Sequence, residues 1–126
     1  MLTRILIDTS SIVYGFEYRK NVFDTVSETF PGAGVYVSKG IIKELDKLSA
    51  NKGAKGAAAR LSRLALADNA SKRLRIESST KSGDSWIIGS AKKSDTIVIT
   101  NDTALAKRLK SLNVKVFKLA KDGRLR

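Results

Sequence analysis

The chain contains no cysteine and no histidine. Without cysteine there are no disulfides, no thiolate nucleophile, no zinc finger and no thiolate-held cluster. Without histidine the commonest general base is gone, and with it the Ser-His-Asp triad and His-ligated metal sites. Long apolar runs are also missing: none approaches the roughly 20 residues that span a bilayer. The opening Met1–Asp8 meets an acid too soon for a signal peptide. These absences predict a soluble cytoplasmic protein with no membrane partner. Any enzyme built from what remains must use carboxylates, hydroxyls, lysine, arginine and a hard cation held by oxygen. Such oxygen-only sites favour magnesium or manganese.

What is present is a core's worth of apolar residues and a large positive charge. The 126 residues fit one ordinary domain, and 42% of them are apolar, too many for a disordered chain. The formal net charge is +12, the electrostatic footprint of a protein with a polyanionic partner, usually nucleic acid.

Five segments read as strands: Thr3–Asp8, Val35–Val37, Leu74–Ser78, Thr96–Thr100 and Val114–Leu119. The first and fourth are compact aliphatic runs of the kind buried on both faces. Helical spacing links Val22, Phe23, Val26 and Phe30, and again Ile41, Ile42, Leu45 and Leu48 behind a Ser38 N-cap. Ala54, Ala57, Ala58, Leu61, Leu64 and Ala65 form a further helical stripe. Two more helices follow Asp84 and Asp102, the second stopped by Asn113. Strands alternating with helices predict an α/β domain with a mostly parallel sheet covered on both faces. Residues 1–120 read as one unit and 121–126 as a frayed basic tail.

In open parallel sheets ligands bind beyond the carboxyl ends of the strands. Asp8 closes the first strand, Glu44 lies early in the helix after the second, Asp84 starts the helix after the third, and Asp102 opens the helix after the fourth. Four acids therefore point to one sheet edge. Asp84 and Asp102 also have a plain reading as N-caps, worth about 1 kcal/mol each. Asp8 has no such simple alternative, because a carboxylate ending an aliphatic strand needs a partner or a metal. Asp46 and Glu77 are the reserve ligands. A cluster of this kind demands one or two magnesium or manganese ions, which is chemistry suited to phosphodiester hydrolysis.

The segments Leu6-Ile7-Asp8-Thr9-Ser10, Ile42-Lys43-Glu44-Leu45-Asp46-Lys47-Leu48, Gly83-Asp84-Ser85-Trp86-Ile87-Ile88-Gly89-Ser90-Ala91 and Val98-Ile99-Thr100-Asn101-Asp102-Thr103-Ala104-Leu105 stand in that order. Together they resemble the motifs of the PIN-domain nucleases. The resemblance implies a three-layer α/β/α sandwich with a five-stranded sheet in the order 3-2-1-4-5, and metal-dependent endoribonuclease activity. It implies Asp8, Glu44, Asp84 and Asp102 as metal-binding and catalytic acids, with the Thr100 hydroxyl supporting them. Many relatives carry a second Asp directly after the third acid; here that place is Ser85, which bears on occupancy of a second metal site. The overall spacing looks most like archaeal single-domain members related to the branch that processes small-subunit rRNA, and toxin-type members are also similar. The partners implied are RNA, including rRNA or ribosomal particles, an antitoxin protein, and a second copy in a homodimer.

Lys43, Lys47, Lys52, Lys55, Arg60, Lys107 and Arg108 are the candidates for a basic rim that holds the phosphate backbone. Trp86 and Tyr36 are candidates to stack a base, against a reading of Trp86 as core. The alternative function is an RNA- or ribosome-binding module with little catalysis. A receiver-like phosphoacceptor fits poorly, because Asp8 stands alone before Thr9 and Lys115 begins its strand.

Overall fold

The computed structural model describes residues 3–69, 74–93 and 95–126. The elements run β1 (Arg4–Ile7), α1 (Thr9–Glu17), α2 (Val22–Thr29), β2 (Gly34–Ser38), α3 (Lys39–Ser49), α4 (Ala54–Asn69), β3 (Leu74–Glu77), α5 (Gly83–Ser90), β4 (Thr96–Ile99), α6 (Thr103–Ser111) and β5 (Lys115–Phe117). The five strands form one sheet in the order β3-β2-β1-β4-β5, with every pairing parallel. This is the expected α/β architecture and strand order.

Ile5, Leu6 and Ile7 of β1 and Ile97, Val98 and Ile99 of β4 are buried, as befits central strands covered on both faces. The chain leaves β1 toward β2 and β3, then crosses back to β4 and β5. Right-handed crossovers place α1–α4 on one face and α5 and α6 on the other. That reversal sits between β1 and β4, whose carboxyl ends are adjacent. Ligands gather at such a point.

Local chemistry explains the helix ends. Asn21 caps α2 through Phe23 N at 2.9 Å, and Ser38 Oγ accepts from Ile41 N at 3.2 Å at the start of α3. Asn113 stops α6 in the left-handed region, φ 63°.

One helix is unexpected and two expectations need correction. Helix α1, directly after Asp8, is absent from the hydrophobic pattern as read above. Its polar first turn, Thr9-Ser10-Ser11, conceals the buried Ile12 and Val13 that follow. The α4 stripe faces outward at Leu61 and Leu64, the latter 69% exposed, while Gly56, Ala58, Ala59, Ser62 and Leu66 are buried. Small residues let α4 lie close against α1 and α3, so volume outweighs hydropathy in choosing the buried face. Residues 121–126 are not frayed either. Lys118 and Arg126 exchange two backbone hydrogen bonds of 2.9 Å each, Gly123 N donates to Ala120 O at 2.9 Å, and Leu119 bridges Leu125. Among the described residues no helix is long and apolar enough to cross a membrane.

Candidate active site

Asp8 leaves β1 in extended conformation and occupies the N-cap position of α1, yet its carboxylate makes no capping bond. It is only 4% exposed. Both nearby hydroxyls donate to the same oxygen: Ser10 Oγ to Oδ2 at 2.6 Å and Thr100 Oγ1 to Oδ2 at 2.9 Å. The two hydroxyl oxygens lie 3.2 Å apart, and with both protons committed to Asp8 they serve as acceptors for backbone amides. Asn101 N donates to Ser10 Oγ at 3.0 Å, and Asp102 N donates to Thr100 Oγ1 at 3.1 Å. The ends of β1 and β4 are thus tied together through one buried carboxylate. Hydrogen bonds from two hydroxyls to one carboxylate oxygen fix its direction.

Asp102 is the N-cap of α6, its Oδ1 accepting from Leu105 N at 3.0 Å. The capping role and a place beside Asp8 are therefore compatible. Asp84 does not cap α5; Ser82 does, its Oγ accepting from Ser85 N at 3.3 Å. The Asp84 carboxyl is held above its ordinary 3.8, first by partial burial and then by the negative charges of Asp8 and Asp102, with Arg108 opposing them. Mutual repulsion among these three acids is the expected signature of a cluster that a cation would relieve.

Glu44 comes from α3, and Thr9 Oγ1 donates to its Oε1 at 2.9 Å. A methyl group added at Gly83 would stand 2.6 Å from Glu44 Oε1, 3.2 Å from Ile41 Cγ1 and 3.4 Å from Asp8 Oδ1. The first residue of α5 is thus glycine at the point where two carboxylates converge on it. The backbone of Lys81 likewise occupies the space a side chain at position 40 would need, so α3 and the loop before α5 approach at bare backbone.

The structure therefore places Asp8 and Asp102 within electrostatic reach of Asp84, and Glu44 across Gly83 from Asp8. Among the described residues, no three of these acids stand close enough together to hold an ion as they lie. The donor set nonetheless suits a hard divalent cation: every candidate ligand is a carboxylate oxygen, and like-charge repulsion is already visible at Asp84.

Both reserve acids are engaged elsewhere. Asp46 pairs with Arg63 at 2.6 Å and Glu77 with Arg4 at 3.4 Å. Lys43, Lys47, Lys52 and Lys55 are exposed along α3, the loop after it and the start of α4. Arg60 donates to the carbonyls of Ser49 at 2.8 Å and Asn51 at 3.4 Å, which makes it a clip on the α3–α4 loop. Arg108 lies within electrostatic reach of Asp84. Lys107 borders a pocket that also takes in Thr100 and Asp102. Trp86 is 4% exposed and belongs to the core, which removes it as a stacking platform. Tyr36 is half-buried beneath the Arg4 guanidinium, 4.9 Å from its ring centre.

Thr9, Ser10, Gly83 and Asn101 carry roles that reading the sequence did not assign. The signal for the first two was a pair of hydroxyls immediately after a strand-ending acid. Asn101 Oδ1 accepts from Ser11 Oγ at 2.7 Å and from Leu119 N at 3.0 Å, while its Nδ2 donates to Leu119 O at 2.9 Å. One amide thereby fixes the β4–α6 loop to both α1 and the segment after β5.

Comparison with known proteins agrees with this fold. Curated protein sequences return no match. Among solved structures, the PIN domain endonuclease Utp24 superposes with a TM-score of 0.72 over 98% of this chain and 90% of its own, at 19% identity. A domain of a functionally unknown protein from Methanocaldococcus jannaschii DSM 2661 gives 0.70 over 94% and 91%, at 14% identity. At these identities the likeness is one of fold. A family model described as a PIN like domain matches residues 5–122, nearly the whole chain. The chain belongs to the PIN-like domain family.

Proposed function

We propose that this protein is a divalent-metal-dependent endoribonuclease that hydrolyses phosphodiester bonds in single-stranded RNA. The observation that carries this reading is the buried Asp8 carboxylate, braced by Ser10 and Thr100 within a group of acids that repel one another. A carboxylate held at this depth with its second oxygen toward Gly83 suits a cation ligand better than a structural cap. Asp8, Glu44, Asp84 and Asp102 are the residues that would hold magnesium or manganese, as one or two ions. Bound there, such an ion supplies Lewis acidity toward the phosphodiester and neutralises the acids.

The chain's own groups divide the remaining work. Ser10 and Thr100 hold Asp8 fixed in direction, and Thr9 orients Glu44. Lysine and arginine side chains around the acids hold the RNA backbone against the repulsion of the cleft. The net charge of +12 supports a nucleic-acid substrate. With neither histidine nor cysteine, no covalent protein nucleophile of those kinds is available.

The test is cleavage of a defined single-stranded RNA with magnesium, with manganese and with a chelator. Cleavage that requires the divalent ion and disappears in Asp102→Asn supports the proposal. Equal cleavage by wild type and variant would sink it. RNA binding without cleavage, surviving loss of the acids, would mark a binding module instead.

A further inference from the structure

Beside the acids lies a pocket of about 310 Å³ between α6, β5 and the hairpin of residues 118–126. Its volume falls at the lower end of the range for small-ligand sites, roughly 300–1,000 Å³. Lys107 and Lys110, about one turn apart on α6, form one side. Lys118 and Arg126, joined through their backbones across the hairpin, form another. Ala106, Val116 and Phe117 contribute apolar surface, and the lining also takes in Thr100 and Asp102 of the candidate site.

We infer that this pocket seats one nucleotide of the RNA strand, the neighbour of the phosphodiester presented to the acidic group. The inference rests on the ribonuclease reading for its link to cleavage. The pocket's own chemistry stands apart from that reading. Four cations surround a cavity whose lining contains a single acid, Asp102. Arg126 is shared with Asp122 at 3.0 Å, while among the described residues the three lysines form no ion pair. A nucleotide matches this arrangement twice over, with phosphate for the lysines and ribose and base for the apolar wall. An inorganic anion would use only the first half.

The site also has a fixed frame. Asn101 bonds to both backbone groups of Leu119, so the acid-bearing loop and the hairpin keep one spacing. A strand entering over the hairpin therefore meets the pocket first and Asp102 next. This route lies on the α6 side of the sheet, away from Lys43 and Lys47 on α3, Lys52 in the loop that follows and Lys55 on α4.

The experiment is a ¹H–¹⁵N NMR titration of the whole chain in EDTA with adenosine 5′-monophosphate, adenosine, inorganic phosphate and an acidic peptide. The monophosphate should shift the amides of Ala106, Lys107, Lys110 and Lys118, and should bind more tightly than the other three probes. A Lys110→Glu/Lys118→Glu variant should keep the wild-type pattern of dispersed peaks. It should bind a single-stranded RNA about tenfold more weakly, with a salt dependence lowered by about two phosphate contacts.

Phosphate binding as well as the monophosphate would reduce the pocket to an anion patch and overturn the inference. The acidic peptide binding best would make it a protein-docking surface, which also overturns it. Wild-type RNA affinity in the double variant would place the strand elsewhere. Because these readings are taken without divalent ions, a protein that binds nucleotide here but never cleaves RNA contradicts only the proposed function. A protein that cleaves, with KM unchanged in the double variant, contradicts only the pocket.

Discussion

Thr100, the residue after β4, donates a hydrogen bond of 2.9 Å to Asp8, the residue after β1, and both side chains are buried. The two strands are neighbours in the sheet, Ile7 standing in register with Ile99. Their register brings hydroxyl and carboxylate together, and the strand order makes that meeting place the sheet's switch point. The acidic group is therefore a consequence of topology, tuned by hydroxyl donors at its base.

Thr100→Val keeps the shape of the side chain and removes its hydroxyl. Asp8 Oδ2 loses one of two donors and Asp102 N loses its acceptor. The expected cost is about 1–3 kcal/mol of stability by urea denaturation. Divalent-ion affinity should fall about 10–100-fold, as for other groups that orient metal ligands. Unchanged affinity would remove Thr100 from its supporting role.

Gly83→Ala separates site from scaffold. The added methyl meets the end of the flexible Glu44 side chain at 2.6 Å, which swings away, and the buried Ile41 Cγ1 at 3.2 Å, which must give by a few tenths of an ångström. Thermal denaturation without metal should change little. Manganese affinity, measured by calorimetry, should drop clearly, because Glu44 no longer converges with Asp8. Equal affinity in wild type and variant would exclude Glu44 as a ligand.

Asp84 gives a pH signature. Its folded pKa lies above the ordinary 3.8, through partial burial and then the charges of Asp8 and Asp102. The folded state therefore binds this proton more tightly than the unfolded state does. Stability is lost as pH rises through the unfolded value toward the folded one, and the penalty is complete above both. In EDTA, Asp84→Asn should melt above wild type at pH 7, with the gap closing below pH 3.8. The carboxyl is largely exposed, so solvent screening keeps the gap small. A lower Tm for the variant at pH 7 would contradict the electrostatic account.

Asn101→Ala removes an acceptor shared by Ser11 and Leu119 and a donor to Leu119 O. Three bonds, two of them to backbone groups, predict a loss of about 2–4 kcal/mol in denaturant unfolding. Amide exchange should quicken at Leu119 and through the hairpin. Protection unchanged at Leu119 would mean that the hairpin is held by other contacts.

The legible parts of the molecule were those where periodicity and position agree. The aliphatic runs of β1 and β4, the Ser38 cap and the Asn113 stop follow from local residue chemistry. So does the edge on which Asp8, Glu44, Asp84 and Asp102 fall. Helix α1 was illegible because Thr9, Ser10 and Ser11 spend their hydroxyls on the site rather than on solvent, which breaks the apolar pattern. The outward Leu61 and Leu64 misled because α4 packs through Gly56, Ala58 and Ala59, a choice of volume over hydropathy. Residues 121–126 were misread because their order comes from backbone pairing with Lys118 and Ala120, which side-chain composition does not record.

The most direct measurement is the rate at which wild type and Asp8→Asn cut one defined single-stranded RNA in manganese, with far-UV circular dichroism confirming that both are folded. The account predicts wild-type cleavage that a chelator abolishes, and an Asp8→Asn rate no greater than that of the chelated wild type. Equal rates for the two proteins in manganese would contradict it.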